Sequence, residues 1–143
     1  MKTYLISGAL GLGLAAAAWA FLAPGETGPA TAQQPVGSAL AAVSLPETLS
    51  SEAQLGKRAF DAVCADCHGA NGAGFDGAGP PLVHEIYEPS HHADMAFFVA
   101  VERGVRAHHW SFGNMPPQQG LTRADVAGIV TYVRELQRAN GID

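Results

Sequence analysis

Two thiols and an imidazole fall within one short stretch, Cys64-Ala65-Asp66-Cys67-His68. C-x-x-C-H is the spacing of covalent haem attachment. Each thiol adds to one vinyl group of the haem, and the adjacent imidazole reaches the iron from the same side. Four alternatives compete with haem. A thioredoxin-like redox pair needs a βαβ context, and no such pattern surrounds these residues. A tetrahedral zinc site wants four ligands, commonly with a second Cys pair, and the chain has only 2 Cys. A disulfide across two residues suits an oxidising compartment but leaves His68 without a role. Chance is the last, and the following Gly69, the helical context and an export-type N-terminus weigh against it. Haem attachment accounts for all of these residues at once.

An iron held by His68 leaves a sixth position to fill. The candidates are Met115, Met95, and the histidines His84, His91, His92, His108 and His109. Met115 stands in Gly113-Asn114-Met115-Pro116-Pro117, whose prolines stiffen the loop and remove N–H donors that burial beside a haem would leave unpaired. Met95 falls in a helical pattern, where an ordinary core methionine is the simpler reading. The adjacent pairs His91-His92 and His108-His109, with Met95, His84 and Trp110 nearby in sequence, also raise the question of a copper or zinc site. Solvated or capping histidines around a haem rim are the favoured reading, because no ligand spacing on a defined element is visible.

The elements that must position these groups read as helices. Ser51 with Gln54 fits a capping box that opens a helix through Leu55, Ala59, Phe60 and Val63, running directly into the Cys-Cys-His stretch. Ala93 to Glu102 is helical in pattern and stops at Gly104. Thr122 and Asp125 start a last helix, with Leu121 and Val126 placed as a hydrophobic staple. Val126, Ile129, Val130, Val133 and Leu136 recur along it at helical spacing, and Asn140-Gly141 ends it. Gly/Pro-rich loops separate the helices, and no strand alternation is present. The fold class is all-α, with residues 48–143 as one domain.

Upstream of that domain, Lys2 is followed by no charged residue until Glu26, and Tyr4 to Ala23 is a continuous apolar run. About 20 apolar residues can span a bilayer, whereas the apolar core of a signal peptide is about 7–15 residues long. Length therefore favours a retained anchor over residues 1–23. Ala18-Trp19-Ala20 and Ala30-Thr31-Ala32 keep a cleaved signal peptide open. Either reading exports the chain, with Lys2 on the cytoplasmic side. Residues 24–47, rich in Pro, Ala and Gly, read as a tether.

Composition bounds the function. A chain of 143 residues, 48% hydrophobic and 15% charged, is neither a disordered polymer nor a multi-span membrane protein. Its net charge of −5 and lack of basic runs exclude nucleic acid as a partner.

Residues 50–141 resemble a class I (mono-haem) cytochrome c, most closely a membrane-anchored bacterial form. Gly56, Phe60 and Cys64 stand at that family's spacing, Tyr132 at its aromatic position in the last helix, and Pro80 twelve residues after His68. The resemblance implies three to five helices wrapped around one covalent haem c, with the first and last helices crossing closely at Gly56. It implies that the Pro80 carbonyl accepts a hydrogen bond from the His68 ring, and that Leu82 packs on the haem. It also implies that Met115, in a Met-Pro loop 47 residues after His68, is the second axial ligand. Met/His ligation raises the haem potential, whereas a bis-His haem would sit lower.

These implications describe a one-electron carrier rather than an enzyme, with no nucleophile–base constellation in sight. Its partners would be redox proteins, in particular membrane respiratory complexes on the periplasmic side of the inner membrane; a cleaved signal would instead leave it soluble in the periplasm. Two alternatives stay open. One is a haem module with a labile sixth site that senses a small ligand. The other is a haem subunit of a larger oxidoreductase.

Overall fold

The computed structural model describes residues 37–143. The apolar run expected to anchor or export the chain lies outside them, as does most of the expected tether. Among the described residues no helix is long and apolar enough to cross a membrane.

The fold is mostly helical. Helix α1 is Ser51–Val63, the short α2 is Ala65–His68, α3 is Asp94–Arg103 and α4 is Arg123–Ala139, with 3-10 turns at Ala70–Gly72 and Glu85–Tyr87. Among the described residues the only β pairing is two isolated bridges, Phe75 with Gly79 and Val105 with Met115.

Helix α1 starts one step from where the sequence placed it. The N-cap is Ser50, whose hydroxyl accepts from the Ala53 amide at 3.1 Å. The Gln54 side chain does not close a box; it donates to the Leu49 carbonyl at 2.9 Å. Leu49 packs against the core. With Leu49 fixed there, Ser50 is the serine whose hydroxyl meets the free amides of the first turn. Helix α4 starts as expected, with Thr122 accepting from Asp125 and the Asp125 carboxylate accepting from the Thr122 amide.

The core lies where α1 crosses α4. Ala53, Gly56 and Phe60 form the buried stripe of α1. A Cβ at Gly56 would stand 1.8 Å from the Gly128 carbonyl oxygen, so the two backbones touch where neither residue has a side chain. One turn further, Phe60 meets Tyr132 edge-on, with ring centroids 5.5 Å apart and planes at 63°. Both rings are buried, and burying a Phe side chain contributes about 1.5–3 kcal/mol. The Tyr132 hydroxyl donates to Asn71 Oδ1 at 2.9 Å, which ties the crossing to the turn after His68.

Two polar residues sit inside the same face of α4. Gln137 is fully buried and donates to the Leu82 and Tyr87 carbonyls at 2.8 and 3.0 Å. Arg134, also buried, donates to Asp94 on α3 at 2.8 Å, to the Tyr87 carbonyl at 2.7 Å and to the His92 carbonyl. The segment from Leu82 to α3 is thus held to α4 by hydrogen bonds from charged and amide donors rather than by its own secondary structure.

The domain begins before residue 48. Residues 37–47, expected to belong to the tether, lie along the domain. Ala41 donates to the Ala73 carbonyl at 2.8 Å and Asp76 to the Ser38 carbonyl at 3.0 Å. The Asn140 side chain exchanges two 2.9 Å hydrogen bonds with the backbone of Ser44, and Val43 packs on the core. Backbone and Asn140 hydrogen bonds, with Val43 on the core, hold this strap although it has no regular period.

Candidate functional site

Helix α1 delivers the two cysteines. Its last turn ends at Cys64, and α2 carries Cys67 and His68. Cys64 is half-buried against the core, while Cys67 is exposed. Burial, and next the neighbouring Cys67, push the Cys64 thiol up to about 11, so it is held protonated at neutral pH. A thiol in that form carries the S–H that adds across a vinyl group.

His68 is oriented by the loop that follows. Its Nδ1 lies 2.9 Å from the Pro80 carbonyl oxygen. A carbonyl can only accept, so Nδ1 carries the proton and Nε2 keeps a free lone pair. Burial lowers the pKa of this ring, partly offset by the bond to Pro80. The imidazole is therefore neutral at neutral pH, the state in which it can bind a metal.

A cavity of about 610 Å³ opens beside His68. Pro80, Leu82, Phe97 and Met115 line it, all apolar, and its size is in the range that takes a large cofactor. Met115 is half-buried and is fixed by a backbone bridge, donating to Val105 at 3.0 Å and accepting from it at 2.9 Å. This pairing depends on Gly104, which ends α3 with φ of 74°; a Cβ there would stand 2.5 Å from the Met115 carbonyl oxygen. Met95 also faces this cavity and is 56% exposed, so it is not the core methionine that its helical setting suggested.

One wall of the cavity is aromatic. Trp110 lines it, stacked on Phe112, and its indole Nε1 is buried without a hydrogen bond of regular geometry. The indole N–H does act on the Tyr87 phenol, partly offsetting the burial that raises that phenol's pKa. Two thiols and a neutral imidazole beside an apolar cavity of this size fit a flat apolar group that carries a metal ion. Haem has that chemistry, so the residues present fit it.

The family scan agrees. The cytochrome c family model matches residues 53–137, more than half of the chain. The chain belongs to the cytochrome c family. A comparison with the curated proteins returns no match. Membership brings a covalently bound haem c and, in general terms, haem-based electron transfer.

Within this cytochrome, His68, Pro80, Leu82 and Met115 face one cavity, and Cys64 and Cys67 directly precede His68 in the chain. His84 supports the backbone instead, since its Nδ1 accepts from the Ile86 amide at 3.2 Å and caps a 3-10 turn. The other four histidines gather in one place, with His108 and His109 rings 4.3 Å apart and His91 and His92 rings 4.6 Å apart. In the sequence they are two separate pairs. Their meeting depends on the turn at 88–92 folding onto the loop at 106–109, which leaves no local pattern. The pKa of His109 is lowered, first by desolvation and then by His108, His91 and His92.

Trp110, Gly128, Arg134 and Gln137 are positioning residues that the sequence did not single out, whereas Gly104 ends α3 as expected. For Arg134 and Gln137 a signal existed, since each stands four residues beyond an apolar position of the α4 stripe, Val130 and Val133. Polar residues in phase with a buried stripe announce a buried hydrogen-bond network.

Proposed function

We propose that this cytochrome is a one-electron carrier of class I type, with a single haem c bound through Cys64 and Cys67. His68 and Met115 would hold its iron. The observation that carries this reading is the 2.9 Å contact from His68 Nδ1 to the Pro80 carbonyl, which leaves Nε2 free on the cavity side. Hydrogen bonding of the outer ring nitrogen fixes the tautomer and raises the basicity of an imidazole ligand. Support for Met115 comes from its bridge to Val105 and its half-buried place on the same cavity. Met95, the other methionine at that cavity, is largely exposed and less suited to a closed ligand set.

When bound, the haem supplies the redox change of its iron. The chain's part is to hold two ligands in place and to line the cavity with Leu82, Phe97 and Trp110. A six-coordinate iron exchanges electrons without taking a substrate. We place the carrier on the periplasmic side of the inner membrane, held by residues 1–23 and serving membrane respiratory partners. The support is the uncharged apolar run Tyr4–Ala23 and the net negative charge of the chain.

Substitution of Met115 tests the ligand set. Met115→Ala should abolish the Met–iron charge-transfer band, lower the midpoint potential and let the iron bind CO or cyanide. A variant that keeps the parental spectrum and potential would assign the sixth position to another residue.

A further inference from the structure

His91, His92 and His109 each present one ring nitrogen, and these three atoms lie within 4.8 Å of one another. His108 completes the group, its ring 4.3 Å from His109 and 6.1 Å from His92. We infer that these imidazoles form a second metal site, separate from the haem iron, for a late first-row divalent ion. Imidazole ligands suit copper, zinc and nickel, and affinity among these ions peaks at Cu2+. The commitment here is to Cu2+, with Zn2+ as the weaker occupant.

The rings are already arranged as metal ligands are. His92 Nδ1 lies 2.6 Å from the Ile86 carbonyl, and His108 Nδ1 lies 2.8 Å from the Arg106 carbonyl. Each of these nitrogens must carry its proton, which leaves Nε2 of both rings with an open lone pair. A ring whose far nitrogen donates to a backbone carbonyl is the usual setting of a metal-bound histidine. The backbone beneath is fixed as well. The His92 carbonyl accepts from buried Arg134, and the His91 and His92 amides both donate to the Glu88 carbonyl, at 3.1 and 2.8 Å.

The distances ask for a small closure. Two nitrogens bound to one tetragonal Cu2+ ion stand roughly 2.9 Å apart as neighbours and about 4.1 Å apart across it, given metal–nitrogen bonds of about 2.0–2.1 Å. A group spread over 4.8 Å must therefore draw in by roughly 1–2 Å, by ring rotation. His91 and His109 are both exposed, so nothing packed over them opposes that rotation. His92, His108 and His109 share a wall with the cavity beside His68, while His91 lies outside it, so the site has to be tested with the haem in place.

Metal titration of the haem-loaded full-length protein decides it. Isothermal calorimetry with Cu2+ should find one ion per chain beyond the haem iron, and Zn2+ should compete for it. Electron paramagnetic resonance of that copper should carry hyperfine splitting from at least three nitrogens. The His91→Ala/His109→Ala variant should lose this equivalent and keep the haem absorption bands; His91→Ala alone should bind more weakly than the parent. Absence of the extra equivalent in the parent, or its survival in the double variant, would overturn the site. So would a copper signal with one or two nitrogens, or altered haem ligation bands in the double variant without copper, since those imidazoles would then serve the iron.

Discussion

Cys64 and Cys67 sit at the junction of α1 and α2, one against the core and one facing solvent. Beside them the domain encloses about 610 Å³ that its own side chains do not fill. A domain of this size has little core to spare, so the bound group must supply part of it. The Cys64→Ala/Cys67→Ala variant should therefore lack covalent haem and also lose its helical circular dichroism. Retention of full helicity without haem would show that the polypeptide closes the cavity unaided. Tyr132 gives a second expectation at this scale. Burial, and next the charge of Asp61, raise its pKa from the ordinary 10.0 to about 12. The folded state holds this proton more tightly than the unfolded chain does. Its contribution to stability is then complete below pH 10 and is lost as pH climbs toward 12. In Tyr132→Phe, stability to denaturant should fall less steeply across that window, measured by urea titrations at several alkaline pH values. The same steepness in both proteins would locate the alkaline sensitivity elsewhere. Of these residues, the cysteines and His68 were legible because their chemistry depends on adjacent positions in the chain. Trp110 was not, because the burial of its indole N–H exists only after distant segments have packed around it.

Elements were read well where a cap and a stripe coincided. Helix α4 has both, the Thr122–Asp125 box and a buried face from Val126 to Leu136, and its start was placed correctly. Helix α1 begins with two successive serines, and which of them caps was decided by Leu49 docking on the core, a long-range event. The crossing of these two helices was expected from Gly56, but its counterpart Gly128 was not singled out, since a glycine inside a helix has no visible partner in the sequence. The contact makes a sharp test possible. A methyl group at Gly56 would meet backbone of α4, at 1.8 Å from the Gly128 oxygen and 2.7 Å from the Ile129 nitrogen. Backbone cannot swing aside as a side chain can, so the helices must part and the Phe60–Tyr132 contact must loosen. Overpacking of this kind costs about 1–3 kcal/mol and more when backbone has to move. Gly56→Ala should accordingly lower the denaturant midpoint by an amount at the top of that range or beyond it. An unchanged midpoint would mean that α1 and α4 do not approach this closely in solution.

On the scale of the whole molecule, net charge predicts how a partner would be drawn in. From Pro24 onward the chain has seven basic residues and thirteen acidic ones, a net charge of −6. Several of the basic groups are already engaged: Lys57 pairs with Asp61, Arg123 with Glu102, and Arg134 is buried against Asp94. The field felt at a distance is thus negative, and a partner with a basic docking patch is drawn in before contact is made. This attraction reaches about 30 Å at 0.01 M salt and about 10 Å at 0.1 M. Over that tenfold rise the second-order rate of electron transfer to such a partner should drop roughly tenfold. Stopped-flow mixing of the reduced cytochrome with an oxidised basic acceptor measures the rate directly. The surface ion pairs contribute little to folding, so stability should hardly change over the same salt range, and circular dichroism melts serve as the control. A rate that stays constant with salt while the fold is intact would remove electrostatic steering and leave short-range fit at the docking surface as the source of partner choice.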